Sequence, residues 1–303
     1  MQALGPDAAK AAVSRSFLFV PGDSGRKLAK AADSAADALI VDLEDSVAAS
    51  GKAKARSVAR EFLSGHAGRQ VWVRINPLDT EDALSDLREV MPASPAGIVL
   101  PKPHGAEDAV RLAKLLDAFE QECGLQEGRT RILPIATERP QALFTLHEYA
   151  GATARLAGLT WGAEDLSTAA GARACRDAAG KWLAPYEMVR ALCLVAAAAA
   201  GVPAIDTVFT DYRNEEGLRE YAAGSRRDGF RGMLAIHPAQ VGIINEAFLP
   251  SAAEVAYARR VVELFAANPD AGTIGMDGTM LDRPHLLQAQ GILELAGRHS
   301  QNA

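Results

Sequence analysis

Eight short apolar segments, most of them nearly unbroken runs, recur along the chain. They are SFLFVPG (16–22), ALIVDLED (38–45), QVWVRIN (70–76), GIVLPKP (97–103), RILPIATE (131–138), LAGLTWGAED (156–165), PAIDTVF (203–209) and GMLAIHP (232–238). A strand that faces water on one side alternates apolar with polar residues; unbroken runs belong to parallel strands covered on both faces. Segments of helical period lie between them. In EDAVRLAKLLDAFEQE (107–122), Val110, Leu112, Leu115, Leu116 and Phe119 share one stripe and the charges lie opposite. Eight strand–helix alternations without a long polar linker predict an α/β fold, a (β/α)8 TIM barrel, and 303 residues suit one such barrel. A doubly wound open sheet is the competing fold, but no Gly-rich turn follows the first strand.

The barrel is expected over residues 15–250, after a flexible tail at 1–14. Behind the eighth strand come SAAEVAYARRVVELFAA, a Gly-rich stretch NPDAGTIGMDGTMLD (268–282) and PHLLQAQGILELAGR. This tail exceeds what a barrel needs, so a helical extension at 251–303 is expected to cap the barrel or pack on a neighbouring subunit.

Several partners and compartments are disfavoured. A net charge of −6 leaves no basic footprint for nucleic acid. The longest apolar run, LCLVAAAAAGV, is too short for a bilayer, and the first fourteen residues lack the apolar core of a secretory signal. Cys123, Cys175 and Cys193 form no C-x-x-C pair, which argues against zinc or a disulfide framework and for a reducing, cytoplasmic setting.

In barrels of this kind the reacting groups come from the C-terminal ends of the strands. Those ends carry Asp42, Glu44 and Asp45; Arg74 and Asn76; Lys102; Glu138; Glu164 and Asp165; Asp206; and His237. A ring of carboxylates with few histidines favours a hard, oxygen-seeking cation. Mg²⁺ takes one or two carboxylates and completes its octahedron with water and substrate oxygens. Glu138 and Asp165 meet that requirement, and the fork of Arg74 suits a substrate carboxylate. The same acids and bases can instead simply pair at the barrel rim. Lys102, between two prolines, reads as an ion-pair partner rather than an imine-forming lysine, because its surroundings are too acidic to desolvate a neutral amine. His237 suits orienting a loop as well as moving a proton. Trp72 and Trp161 read as barrel filling, and Trp182 as part of the long loop after the sixth strand.

The strings RSFLFVPGDSGRKLAKA, ALIVDLEDSVAASGKAKAR, VRINP, VLPKP, GAEDL, GFRGMLAIHPAQV and FLPSAAEVAYARRVVE together resemble the citrate lyase beta-subunit family. That family comprises citryl-, malyl- and citramalyl-CoA lyases within the phosphoenolpyruvate/pyruvate barrel superfamily. The resemblance runs from about Arg15 to Leu295. It implies that Arg74 binds the carboxylate of the 2-oxo acid and that Glu138 and Asp165 hold Mg²⁺, leaving Glu164 a neighbour. Asp42 and Glu44 would order metal-bound water and the arginine. Arg26, Lys27, Lys52 and Arg56 would meet the phosphates of CoA. Asp282, in DGTMLDRP, would act from a neighbouring subunit on the acetyl-CoA methyl carbon or on a nucleophilic water, which implies a homo-oligomer, a trimer or hexamer. A plainer role for Asp282 is capping the helix that follows it.

The chain departs from the family at Arg139, where a threonine usually follows the glutamate, and in the long basic loop RACRDAAGKWLAPYE. The activity implied is a Mg²⁺-dependent carbon–carbon lyase on a 3-hydroxy-carboxyacyl-CoA thioester. Its rivals are a metal-dependent aldolase for free 2-oxo acids, and a subunit that docks an acyl-carrier partner in a larger lyase complex.

Overall fold

The computed structural model of the chain describes residues 14–300, with side chains described to residue 297. Each apolar segment holds one strand: β1 (Ser16–Pro21), β2 (Ala38–Asp42), β3 (Val71–Arg74), β4 (Gly97–Leu100), β5 (Arg131–Pro134), β6 (Leu159–Thr160), β7 (Ala204–Asp206) and β8 (Gly232–Ala235). They pair in the order β5-β4-β3-β2-β1-β8-β7-β6. The two edges also meet, through parallel bridges of Ile132 with Leu156 and Ile135 with Thr160. The sheet therefore closes, and the fold is the expected TIM barrel.

Helices follow the strands: α1 (Gly25–Ala32), α2 (Lys52–Gly65), α3 (Glu81–Val90), α4 (Ala106–Glu122), α5 (Glu164–Ala169), α6 (Ala184–Ala200), α7 (Glu215–Asp228) and α8 (Pro238–Ala247). A 3₁₀ stretch, Pro140–Tyr149, takes the place of a regular helix after β5. The buried face of α4 is turned slightly from the expected stripe. Ala109, Leu112, Ala113 and Leu116 are buried, while Val110, Leu115 and Phe119 sit at its edges. Glu120 shares the buried face because Arg155 pairs with it at 2.6 Å, and these contacts outweigh burial to hold its carboxyl down at about 2.

The period of two along each strand sorts residues between the two faces. Phe17, Ala38, Ile40, Trp72, Val99, Leu133, Ile135, Ile205 and Leu234 fill the barrel interior as one cluster. Continuing that parity upward brings Asp42 and Arg74, which are register partners on β2 and β3, to the interior at the C-terminal end. Lower down, Trp72 packs edge-on against Phe17 at 5.9 Å. Its ring fills the space over Gly97, where a Cβ would fall 2.2 Å from the indole.

The chain divides into two compact units, after Asn245, five residues before the expected boundary at 250. The second unit is not wholly helical. It contains α9 (Ala252–Ala267), a hairpin of β9 (Thr273–Met276) and β10 (Thr279–Asp282), and α10 (Arg283–Ser300). Ser251 and Glu254 form a capping box at the start of α9. The Gly-rich stretch holds the hairpin. Asp277 and Gly278 both take positive φ, at 51° and 79°, as a two-residue Asp-Gly turn requires. Ala258, Val261, Phe265, Leu281 and Ala289 give this unit its own core. The tail expected at 1–14 lies, but for Ser14, outside the described residues. Among those residues no helix is long and apolar enough to cross a membrane.

Gly97→Ala is expected to destabilise the barrel by roughly 1–3 kcal/mol, because the indole of Trp72 must leave its place to admit one methyl group. A urea midpoint unchanged from wild type would remove Trp72 from that role.

Candidate active site

Asp42 and Arg74 meet in two parallel hydrogen bonds, Nε to Oδ1 and Nη2 to Oδ2, each 2.7 Å. The backbone N–H groups of Glu44 and Ser46 donate to the same carboxylate. Burial pushes the Asp42 carboxyl up, but the guanidinium and these donors outweigh it and hold the group below its ordinary value. Arg74 Nη1 lies 2.9 Å from Glu44 Oε2. The Phe19 ring lies 4.8 Å from the guanidinium carbon. Nε and Nη2 of Arg74 are thus committed to Asp42, while Nη1 lies among acids, beside Glu44 and 3.8 Å from Asp45 Oδ2.

Glu138 stands four residues beyond β5 and is only 5 % exposed. Its Oε2 accepts from the backbone N–H of Lys102 at 2.6 Å. Gly162 makes room for it, since a Cβ there would fall 2.8 Å from Glu138 Cγ. Burial raises its carboxyl to about 8; the Lys102 N–H opposes this, and Asp165 and Glu44 add to it. Asp165, in the first turn of α5, lies with Oδ1 3.4 Å from Lys102 Nζ. Glu164, one residue earlier, faces solvent. Asp165 is thus near enough to Glu138 to raise its carboxyl, while Glu164 stays exposed.

Lys102 links these groups. Its ammonium lies 2.5 Å from Glu44 Oε1 and 3.1 Å from Asp45. Burial pulls its pKa down, but Glu44 and Asp45 reverse this and hold it above the ordinary value. A lysine kept charged is no imine nucleophile, as expected of its acidic setting.

Other expectations are revised. Lys52 does not offer its ammonium to a phosphate; it is bound by Leu43 O, Glu44 O and Asn76 Oδ1 at 2.7–2.8 Å. Lys52 ties down the loop after β2 because that loop leaves carbonyls that β-pairing does not satisfy. Arg56 likewise pairs with Asp82 and Asp86. Arg26 and Lys27, in the first turn of α1, stay exposed. Asp206 leaves the ring because Ile205 takes the interior place on β7. Its carboxylate turns outward to Trp161 Nε1, Arg190 and Ser225 at 2.6–3.0 Å. His237 stacks on Tyr212 at 4.7 Å and accepts from the Ala239 N–H, a loop-orienting role. Arg139 turns along the rim, to Asp79 at 2.7 Å and to the Lys102 carbonyl at 2.6 Å. The long basic loop is pinned down. Arg176 bridges Trp182, its guanidinium sits 3.4 Å from that ring, and the buried Trp182 packs on Trp161. Asp282, in the second unit, pairs with His285 one turn into α10, Oδ1 to Nδ1 at 2.5 Å.

Residues 15–238 match the model of the HpcH/HpaI aldolase/citrate lyase family. The chain belongs to that family. Over 293 residues it is 36 % identical to the citrate lyase subunit beta of Escherichia coli K12, covering 95 % of this chain and 94 % of the relative. It is 35 % identical to a (3S)-malyl-CoA thioesterase of Cereibacter sphaeroides, covering 93 % and 94 %. Among solved structures, the Mycobacterium tuberculosis protein CitE in complex with magnesium, acetoacetate and coenzyme A superposes with a TM-score of 0.80. It is 33 % identical, and the match covers 94 % of this chain and 99 % of CitE. Membership places the chain among carbon–carbon lyases.

The raised Glu138 carboxyl has a signed consequence. Its folded value of about 8 exceeds the ordinary 4.5, so its contribution to stability is full below about 4.5 and is lost as pH rises through 8. With divalent cations removed by chelation, the urea midpoint should carry a downward component between pH 5 and 8.5, worth roughly a few kcal/mol. Glu138→Gln should lack that component. Parallel pH profiles for variant and wild type would place the titration elsewhere.

Proposed function

We propose that the chain is a Mg²⁺-dependent lyase. It cleaves, or in reverse forms, a 3-hydroxy-carboxyacyl-CoA thioester of the citryl, malyl or citramalyl kind, with an acyl-CoA and a 2-oxo acid as the products. The observation that carries this is the setting of Arg74: Nε and Nη2 are locked on Asp42, and the guanidinium is near enough to the buried Glu138 to act on its charge. A guanidinium fixed in this way, with N–H groups beyond those given to Asp42, suits a carboxylate brought by a ligand.

The donor set fits Mg²⁺. Glu138 and Asp165 are hard oxygen donors on adjacent barrel elements, and few such ligands suffice for this ion. When bound there, the ion supplies Lewis-acid polarisation of the oxygen beside the scissile bond. Arg74 neutralises and orients the acid half, with Asp42 and Glu44 holding its plane. Asp282 of a neighbouring subunit is the proposed acid that protonates the carbon of the departing acyl-CoA, and the base in the reverse direction. Arg26 and Lys27 remain the candidates for the CoA phosphates; Lys52 does not.

The coenzyme A in the CitE complex supports a thioester over a free-acid aldolase. The name of the Escherichia coli relative, a subunit beta, supports a second reading in which the chain serves a larger complex through an acyl carrier. Cleavage of a CoA thioester by the purified chain alone separates the two. Free cysteines support a reducing, cytoplasmic setting. Phe144, on the 3₁₀ stretch after β5, and Met188 and Val195, on α6, stand exposed on elements that pack against each other, which supports a homo-oligomer.

A panel of 2-oxo acids with acetyl-CoA and propionyl-CoA, with and without Mg²⁺, tests the reaction directly. Glu138→Ala and Asp165→Ala should each lose metal binding and activity, whereas Glu164→Ala should keep both. Wild-type metal affinity in Glu138→Ala would end the assignment. For Asp282, inactive Asp282→Asn chains mixed with inactive Arg74→Ala chains should regain activity, because some mixed oligomers carry an intact composite site. No recovery despite demonstrated subunit exchange would leave Asp282 as the partner of His285 only.

A further inference from the structure

Lys102 has an unusual backbone as well as an unusual position. It is a non-glycine residue at φ +47°, a conformation that costs energy unless its surroundings enforce it. Two consecutive residues enforce it from either side of its peptide planes. Glu138 accepts from its N–H at 2.6 Å, and Arg139 donates to its carbonyl at 2.6 Å. The strained turn aims the ammonium into the ring, between Glu44 at 2.5 Å, Asp45 at 3.1 Å and Asp165 at 3.4 Å. The ring sets five carboxylates, Asp42, Glu44, Asp45, Glu138 and Asp165, against two cations, Arg74 and Lys102. Arg74 contacts the first three and Lys102 reaches across to Asp165, so Lys102 joins the arginine side of the site to the metal side by direct ion pairs.

We propose that the Lys102 ammonium is a built-in counter-cation: it competes with Mg²⁺ for Asp165, and through Glu44 it keeps Arg74 set for the 2-oxo acid. The inference rests on the reading of Glu138 and Asp165 as metal ligands. Lys102 is then a positioning residue whose removal shifts two affinities in opposite directions. Without the ammonium, Asp165 is uncontested and the ring is one charge more negative, so the divalent cation binds more tightly. The anionic substrate, which needs positive charge and a fixed Arg74, binds more weakly. A residue that only supported the fold would weaken both.

The test is calorimetric titration of Mg²⁺ into the metal-free enzyme at pH 8, then of pyruvate into the Mg²⁺-loaded enzyme. Lys102→Met keeps the unbranched apolar stem and the N–H donated to Glu138. Lys102→Gly keeps that N–H and also relieves the positive φ, so it covers the case in which the methionine variant folds poorly. In both, Mg²⁺ affinity is expected to rise about tenfold or more and pyruvate affinity to fall about tenfold or more, the scale of one unit charge at a few ångströms in a partly screened site. Lys102→Arg, which keeps the charge, should bring both affinities back toward wild type. Unchanged or weakened Mg²⁺ binding in Lys102→Met and Lys102→Gly, with wild type binding normally, overturns the counter-cation role alone. Absence of Mg²⁺ binding by wild type overturns the metal reading and this inference with it.

Discussion

The site depends on one buried ion pair, the two parallel hydrogen bonds between Asp42 and Arg74. Both residues are the last of their strands and both face the barrel interior at the same register level. Removing two such charges from water is costly, and only close geometry with further hydrogen bonds offsets the cost. That geometry is present: Asp42 accepts from two backbone N–H groups besides the guanidinium, and Glu44 lies 2.9 Å from Arg74 Nη1. The pair therefore fixes the plane of the guanidinium and commits one of its edges to protein.

Around the pair, support is layered outward. Lys52 and Asn76 hold the carbonyls of Leu43 and Glu44, and Asp86 in turn holds Asn76. Burial raises the Glu138 carboxyl to about 8, and Lys102 pairs with both Glu44 and Asp165. Close approach of these groups needs small neighbours, and Gly162 beside Glu138 is one. The second unit is organised differently, around its own apolar cluster and a tight Asp-Gly hairpin that ends at Asp282. A segment Gly-rich by composition is thus held by cross-strand pairing, and the acid at its end has a defined partner in His285.

Much of this was legible in the residues. Eight apolar runs mark eight strands because a strand covered on both faces needs apolar side chains on both parities. Acids and bases at the ends of those runs mark the site because a barrel core rejects charge everywhere else along the strand. The legible part also included the placing of Arg74, Glu138 and Asp165 at the C-terminal ends of their strands or just beyond them. What escaped was the direction of side chains one residue off parity. Asp206 ends a strand as Asp42 does, yet its interior neighbour is Ile205, so it faces Arg190 and Ser225 instead. The hairpin was missed although its signal, an Asp-Gly dipeptide between short runs, was present; the surrounding glycines masked it.

The amino-acid sequence by itself determined the barrel, the order of its strands and the family, because these depend on periodicity and on motifs that are local in the chain. Only the tertiary structure decided which charges meet. Lys52 and Arg56, read as phosphate ligands, are consumed by carbonyls and carboxylates that are eight to thirty residues distant. Lys102 is drawn to Glu44, 58 positions before it, and its N–H to Glu138, 36 positions after it. Electrostatic partnership depends on distance in space, and a closed barrel brings the ends of all its strands within reach of one another, whatever their separation along the chain.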